Sequence, residues 1–364
     1  MVIGELAAID FRNYAQLRTS FGERINLLVG SNGQGKSNLV EAIYFLLHLD
    51  SFRTHDWAQL VRQGQRRAQV QGLIHVDDIT DKIRVEITRQ GRRVWWNDEP
   101  ILRLSDYVNR TFALVFNPDT LYLYRHIPAE RRLFYNRFLS FLDAAYVHEL
   151  VQFRQVHAQK NSLLKSGNLS GLEAWNRLFA ERSRAIMFCR AAFVEELNTL
   201  LPGLFSGLTG RPEKLLLRYR PSFREDPDGI EGQLREVREQ EARVGYAVLG
   251  PHRDDFRMGT ACAGVEDGTE AERPERQFSQ GEYRSALLAL TLALDRFLEG
   301  RKGFRPIIIL DDAFSELDAR VRAAVASHLL GMTHQIFITT TERLEPFQAA
   351  GARVTEIRAG QVVS

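Results

Sequence analysis

The stretch Gly30-Ser31-Asn32-Gly33-Gln34-Gly35-Lys36-Ser37 decides which fold this chain is expected to adopt. It fits the pattern G-x-x-x-x-G-K-[ST]. The apolar run Ile25 to Val29 precedes it, and a run with helical spacing, Leu39 to Leu47, follows it. A strand, a glycine-rich loop and a helix in this order predict a loop whose backbone N–H groups surround phosphates. We expect Lys36 to reach the β and γ oxygens and Ser37 to ligate Mg²⁺, with all eight residues contacting a nucleotide.

A phosphate-binding loop of this kind needs a second acidic element that holds the metal and orients water. The β-branched run Ile307 to Leu310 ends in two aspartates, 275 and 276 positions after Lys36. We expect Asp311 to ligate the metal and Asp312 to act as the general base. The alternative is an exposed acidic turn after a core strand.

A third motif, Ser279-Gln280-Gly281-Glu282, stands directly before a long helical run that begins at Tyr283. Taken alone it would be a helix cap. Lying 32 residues before Asp311, it instead fits the signature motif of an ATP-binding-cassette (ABC) ATPase. Two such helix ends cannot easily meet one γ-phosphate within a single chain, so we expect two copies facing head to tail to enclose ATP. Ser315-Glu316-Leu317-Asp318 fits the dimer-interface loop of that class.

Two further residues follow predicted strands near the same site. Asn117 comes after the strand Phe112 to Phe116, close to the position where a glutamine usually contacts metal and water. Thr341 follows the strand Gln335 to Thr339 and stands where transporter-type members carry a switch histidine. We expect both side chains to line the nucleotide.

The rest of the chain predicts an α/β fold interrupted by helices. Strands are expected at Val2 to Ile9, Tyr14 to Phe21 and, in antiparallel order, over 68–96, whereas Gly259 to Gln277 is expected to be turn-rich and exposed. We therefore predict an ABC-type ATPase head, a P-loop lobe with an antiparallel β subdomain, built from 1–118 and 247–364. Residues 119–246 would form a helical arm. Only 243 residues separate Lys36 from Ser279, too few for a long coiled coil.

Composition excludes several classes of protein. The 364 residues are 44% hydrophobic with a net charge of +2, and the longest apolar runs fall short of the ~20 residues that cross a bilayer. No membrane role is therefore expected. Two cysteines cannot build a disulfide framework, so a reducing, cytoplasmic location is expected. Arginine makes up 42 of the 48 basic residues, yet the small net charge leaves a nucleic-acid partner open.

Together these motifs resemble the RecF family of bacterial recombination mediators. The residues that carry the resemblance, in chain order, are Phe11-Arg12-Asn13-Tyr14, Gly33-Gln34-Gly35-Lys36-Ser37-Asn38, Ser51-Phe52-Arg53-Thr54, Phe116-Asn117-Pro118-Asp119, Arg131-Arg132, Gly250-Pro251-His252-Arg253-Asp254-Asp255, Ser279-Gln280-Gly281 and Leu310-Asp311-Asp312-Ala313-Phe314-Ser315-Glu316-Leu317-Asp318. The double aspartate and the block at Gly250 are the most specific.

The resemblance implies an ATP-dependent DNA-binding protein of recombinational repair. Such a protein dimerises on ATP, binds duplex or gapped DNA and, with RecR-like and RecO-like partners, helps to load the RecA recombinase at gaps. A weak, DNA-stimulated ATPase would act as a switch that releases the dimer. The alternative is an ABC-type ATPase that drives a protein partner in transport or with a nuclease. Thr341 in place of the switch histidine argues against transport.

Other features leave alternatives open. The chain departs from the family's usual residues at His126, at Tyr135-Asn136 and at Glu282-Tyr283. The polar group His252-Arg253-Asp254-Asp255 is either functional or structural. Arg125, Arg131 and Arg132 are candidates for DNA contact, and internal salt bridges are an equally good interpretation of each.

Overall fold

The residues that the structure describes, in a computed structural model, are 1–76, 78–103, 107, 110–117, 124–167, 169–224, 229–262, 271–315 and 317–363. The chain divides into two compact units. Unit 1 comprises Met1–Tyr122, Leu204–Arg211 and Ser279–Ser364, and unit 2 comprises Leu123–Gly203 and Pro212–Phe278. None of the helices in the described ranges combines the length and apolar character that a bilayer crossing requires.

Unit 1 contains a mainly parallel sheet with the strand order β15-β14-β3-β13-β12-β8. Its strands are β3 (Ile25–Val29), β8 (Ala113–Phe116), β12 (Ile307–Asp311), β13 (Ile336–Thr340), β14 (Arg353–Arg358) and β15 (Gln361–Val362). Every residue of β3, β12 and β13 is buried, which explains why their sequences are almost entirely apolar or β-branched. Only β15 runs antiparallel to its neighbour.

A second, antiparallel sheet in unit 1 has the order β2-β1-β4-β5-β6-β7. Its strands are β1 (Val2–Phe11), β2 (Tyr14–Ser20), β4 (Arg67–Val76), β5 (Ile79–Thr88), β6 (Gly91–Trp96) and β7 (Glu99–Pro100). Helix α1 (Lys36–His48) packs against both sheets and buries Leu39, Ile43 and Leu46 completely. The predicted P-loop lobe with an antiparallel β subdomain is present, and α1 joins its two sheets in one core.

Unit 2 is mostly helical but contains a small sheet. Its helices are α2 (Pro128–Leu142), α3 (Ala144–Ser166), α4 (Leu172–Leu197), the start of α5 (Leu201–Thr209), α6 (Gly229–Glu236) and α7 (Arg238–Val244). The sheet has the order β11-β10-β9. Its strands are β9 (Lys214–Arg220), β10 (Asp255–Cys262) and β11 (Ala271–Pro274). Unit 1 contributes the remaining helices, α8 (Gln280–Lys302), α9 (Ala319–Leu330) and α10 (Glu345–Ala349).

This small sheet differs from what the sequence predicts. The expected exposed turns over Gly259 to Gln277 are wrong for the described part, because β10 and β11 pair there and Thr260 is buried. The stretch 119–246, expected to be helical, also contains β9, which pairs antiparallel with β10. These backbone bonds explain why 247–278 clusters with unit 2 instead of the ATPase lobe that the sequence predicts for it. The expected boundary at 118/119 lies outside the described residues.

Candidate functional site

The glycine-rich loop between β3 and α1 has the backbone that phosphate binding requires. Gly33 and Gly35 have φ values of 78° and 112°, in the left-handed region that favours glycine. The Lys36 ammonium donates hydrogen bonds to the carbonyls of Gly30 (2.6 Å) and Ser31 (2.9 Å), which holds the lysine over the loop. Burial lowers the pKa of Lys36, and the charges of Asp311 and Asp312 oppose that shift. The lysine and both predicted acids therefore share one electrostatic site.

Ser37 and Asp311 meet directly, although 274 positions separate them. The Ser37 hydroxyl donates to Asp311 Oδ1 over 2.9 Å, and the Thr339 hydroxyl donates to the same oxygen over 2.6 Å. Burial raises the pKa of Asp311, and these two hydrogen bonds partly offset the rise. A hydroxyl and a carboxylate beside a phosphate loop are oxygen donors of the kind Mg²⁺ takes, with water and phosphate oxygens completing its shell. The donor set therefore fits this metal.

The other predicted residues follow the carboxyl ends of neighbouring parallel strands. The register pairs Thr340 with Val29, Asp311 with Thr339, and Leu310 with Phe116, so the segments after β3, β8, β12 and β13 share one edge. Ligands of open α/β sheets bind at such an edge. Asn117 is buried there, and Asp312 and Thr341 are exposed.

Comparison with known proteins identifies the family. The model of the RecF/RecN/SMC N-terminal domain matches residues 2–361. The chain is 32% identical over 357 residues to the DNA replication and repair protein RecF of Lactobacillus gasseri, covering 94% of this chain and 93% of that protein. The corresponding protein of Geotalea uraniireducens is 30% identical, with the same coverage. The chain belongs to the RecF family.

Solved structures agree with that assignment. A structure of the recombination mediator protein RecF with ATP, from the RecFOR pathway, is 26% identical and superposes with a TM-score of 0.84 over 99% of this chain and 96% of that one. The SMC head domain of Pyrococcus furiosus is 18% identical, with a TM-score of 0.58 over 99% of this chain and 95% of that one, and shows the fold alone. The expected ABC-type head is confirmed, and the described helices form no long coiled coil.

The predicted signature segment of this RecF family member caps helix α8. The Glu282 N–H donates to Ser279 Oγ (3.2 Å), and the Ser279 N–H donates to the Glu282 carboxylate (2.8 Å), a reciprocal capping box. This bond accounts for the departure at Glu282, which also pairs with Arg211. Tyr283 is buried. Within the described residues, no hydrogen bond joins Ser279, Gln280 or Gly281 to the phosphate loop of the same chain.

The segment expected at the dimer interface lies beside the signature helix. Ser279 and Gly281 line a cavity of about 240 Å³ with Leu317 and Asp318. Asp318 caps α9 by accepting a hydrogen bond from the Val321 N–H (2.8 Å). Glu316 lies outside the described residues, as do Pro118 and Asp119 of the motif after β8.

A buried carboxylate on α1 is a feature that the site prediction missed. Glu41 is fully buried and accepts hydrogen bonds from Arg12 (2.6 and 2.8 Å), Arg53 (3.2 Å) and Ser51 (2.5 Å). Two RecF-family motifs, around Arg12 and Arg53, are therefore tied to the helix that begins at Lys36. Their appearance on either side of the phosphate loop in the sequence is the signal that could have revealed this network.

Tyr14 and Thr339, which the site prediction did not include, also form hydrogen bonds at this site. The Tyr14 hydroxyl donates to the Gly35 carbonyl (2.9 Å), and its burial raises its pKa. Thr339 contacts both aspartate segments, because its hydroxyl donates to Asp311 and accepts from the Asp312 N–H (2.9 Å). The sequence analysis did not identify Thr339, and its prediction that Thr341, two residues further on, lines the nucleotide stays a prediction.

The polar block at His252 to Asp255 organises the interior of unit 2. Asp254 is fully buried and accepts hydrogen bonds from Arg190 (2.5 Å) and from the Ser222 N–H (2.9 Å). Arg190 also donates to Asn136 (3.0 Å), so the departure at Tyr135-Asn136 belongs to this network. Burial and the charge of His157, whose ring is tilted against that of His252 with the centroids 4.2 Å apart, lower the pKa of His252 to about 4. These contacts favour the structural interpretation. His126, the remaining departure, is exposed.

The three arginines expected on a DNA surface also bond within unit 2. Arg131 has no exposed side chain and forms a bidentate ion pair with Asp255 (2.8 and 2.9 Å), so its assignment to DNA contact is wrong. Arg125 and Arg132 are half-buried and donate to the carbonyls of Phe278 (3.0 Å) and Asp254 (2.8 Å). Their contact with DNA stays a prediction.

We expect Arg131→Ala to destabilise the fold. Removing one partner of a buried, doubly hydrogen-bonded pair costs about 3 kcal/mol, because the remaining charge loses its compensation. Denaturant titration should show that loss, while Arg154→Ala, at an exposed position of α3, should change the unfolding free energy by under about 0.5 kcal/mol. An unchanged midpoint for Arg131→Ala would contradict the structural role.

The same pair predicts a pH dependence. Burial alone would raise the pKa of Asp255, but the hydrogen bonds and charge of Arg131, with Arg257, bring it below its ordinary value. A lowered folded-state pKa stabilises the protein above the unfolded value, about 3.9, and the stabilisation disappears as the pH falls through the folded value. The difference in unfolding free energy between wild type and Arg131→Ala, measured by denaturant titration, should therefore become smaller as the pH is lowered.

Proposed function

We propose that this chain is an ATP-dependent DNA-binding protein of recombinational repair, in which ATP joins two copies and hydrolysis releases them. The observation that carries the proposal is the hydrogen bond between Ser37 and Asp311. It joins the phosphate loop to the acidic strand end at the edge where parallel sheets bind ligands. The ATP-bound RecF structure, to which the chain is similar along almost its whole length, supports ATP as the nucleotide.

In this proposal each side chain of the site has one task. The loop N–H groups and Lys36 bind the β- and γ-phosphates. Ser37 and Asp311 would hold Mg²⁺, whose charge would offset the negative charge of the phosphates. Asp312 accepts a proton from the attacking water. As the new P–O bond forms on the γ-phosphorus, the bond to the bridging oxygen breaks and ADP leaves. Asn117 and Thr341 contribute polar contacts at the same edge.

The position of the signature segment supports the proposed dimerisation. Ser279 and Gly281 are exposed at the N-terminus of α8, where backbone N–H groups and the helix dipole favour an anion. Because this segment makes no bond to the phosphate loop of its own chain, we propose that it meets the γ-phosphate bound by a second copy. ATP would then bridge two protomers at two sites.

The proposed DNA substrate is duplex or gapped DNA, and the proposed partners are RecR-like and RecO-like mediators that load RecA. Two findings support these partners: curated relatives carry the name DNA replication and repair protein, and a similar structure belongs to the RecFOR pathway. The test is the mass of the protein in solution with and without ATP and with and without gapped DNA. We expect a dimer with ATP and a heavier complex when DNA is added. A monomer under all four conditions would contradict the proposal.

Ser279→Arg should separate ATP binding from dimerisation. The monomer should bind ATP as wild type does, because residue 279 makes no bond to the loop. A bulky cation there should clash with the partner and abolish the ATP-dependent dimer seen by light scattering. Losing the cap costs only about 1 kcal/mol, so the variant should fold. Ser166→Arg adds the same side chain at an exposed position of α3 and should still dimerise. A normal dimer for Ser279→Arg would mean that the motif is only a cap.

A further inference from the structure

The small sheet of unit 2 has two chemically different faces. Leu215, Leu217, Phe256 and Met258 are buried on one face and belong to the interior of the unit. The residues next to them along β9 and β10 have their side chains on the other face, and several of these are charged. Arg218 and Arg220 of β9 lie opposite Arg257 and Asp255 of β10.

This second face concentrates positive charge that the fold only partly neutralises. Arg218 stands directly across from Arg257, an arrangement that destabilises a sheet unless other charges compensate. Glu272 pairs with Arg218, and Asp255 (2.7 Å) and Glu275 (2.9 Å) pair with Arg257. These two arginines are therefore held in place by the protein's own carboxylates.

A groove of about 390 Å³ runs over this face, and we call it the arginine groove. Five arginines line it against two glutamates, Glu272 and Glu275, and these arginines are Arg218, Arg220, Arg257, Arg273 and Arg276. Gly259 of the central strand also lines the groove, and a Cβ atom there would lie 3.3 Å from the Arg273 carbonyl oxygen of β11. The lining therefore has three more positive than negative side chains.

Two arginines of the groove differ from the others in their exposure and ion pairing. Arg220 and Arg276 are exposed, and within the described part of the chain neither forms an ion pair. Holding two exposed guanidinium groups beside already paired ones is unfavourable for the isolated protein, but it suits a ligand with repeated negative charge. Guanidinium forks bind phosphate oxygens in pairs and carry no information about bases.

We propose that the arginine groove binds the phosphate backbone of duplex DNA, with Arg220 and Arg276 as its direct contacts. The inference rests on the proposed function and gives it a surface. Arg220 and Arg276, which are exposed and charged, take the place of the buried Arg131 as candidates for DNA contact. Binding at this groove should depend on salt and be independent of base sequence.

The test is a salt series with the full chain and ATP, using fluorescence anisotropy on a labelled duplex. For Arg220→Glu with Arg276→Glu, we expect weaker binding. We also expect the slope of log affinity against log salt to flatten by about 0.9 for each phosphate that an arginine no longer neutralises. That is a change of about 1.8 if one groove of the dimer contacts the duplex and about 3.6 if both do. ATP-dependent dimerisation should be unchanged.

A control with the same change in net charge is Arg154→Glu with Arg177→Glu, at exposed positions of α3 and α4. It should keep the wild-type slope, so weaker binding by both variants would reflect total charge and overturn the inference. Arg220→Gln with Arg276→Gln removes the charge without reversing it, and provides the measurement if the reversed variant does not fold. An unchanged slope for the groove variants would overturn the inference alone, whereas a wild type that binds no duplex with ATP would overturn the proposed function as well.

Discussion

Lys36→Ala is expected to abolish measurable ATP binding. The Lys36 ammonium lies over the loop, 2.6 Å from the Gly30 carbonyl, and its charge interacts with Asp311 and Asp312. With alanine, the β- and γ-phosphates lose their cation while two carboxylates remain nearby. Losing charged hydrogen bonds of this kind costs about 3 kcal/mol or more, at least roughly a hundredfold in affinity.

Isothermal titration of ATP in the presence of Mg²⁺ measures this effect. Lys82→Ala removes a lysine that pairs with Asp98 at the surface of the antiparallel sheet, and it should titrate as wild type does. Thermal unfolding of Lys36→Ala without nucleotide should resemble wild type, because its partners are loop carbonyls that water can also satisfy. Unchanged ATP affinity in Lys36→Ala would contradict the assignment of the loop.

The phosphate loop and the double aspartate were predictable because each is a short motif at the end of an apolar strand. Once these strands pair in parallel, their carboxyl ends lie at the same edge of the sheet, and Ser37 and Asp311 are brought together. Which threonine contacts Asp311 was not predictable, because Thr339 and Thr341 both follow the same apolar run. Which of the two threonines lies opposite Asp311 depends on the register between β13 and β12.

Unit 2 shows where local pattern fails. The strand β9 buries Leu215 and Leu217 on one face and places Arg218 and Arg220 on the other, but the intervening Leu216 and the mostly helical, charged neighbourhood conceal this period of two. Arg131 looks like a surface residue because its partner, Asp255, is 124 positions away. Pairing across such distances is a property of the tertiary structure, so burial of an arginine could not be inferred from its neighbours in the sequence.

Asp312→Asn is expected to stop ATP hydrolysis while leaving ATP binding intact. Asp312 follows β12 with a φ of 53°, in the left-handed region, and its N–H donates to Thr339 Oγ1. Asparagine tolerates this backbone better than most residues and keeps the same N–H, so the loop should not change. The amide cannot take a proton from water, and loss of a general base lowers the rate by about 10²–10⁴. ATP-bound dimers should then accumulate, because the step that releases them is blocked.

Phosphate release and light scattering, followed in the same samples, distinguish this outcome from simple loss of function. Asp312→Asn should show almost no phosphate release together with a dimer that persists after ATP is added, whereas wild type should return to monomer as ATP is consumed. Glu342→Gln neutralises an exposed carboxylate just after β13, at the same edge of the sheet, and should behave like wild type. Normal phosphate release by Asp312→Asn would mean that another group activates the water. A monomer that binds ATP but never dimerises would instead mean that Asp312 is needed to assemble the site, because its role would precede the chemical step.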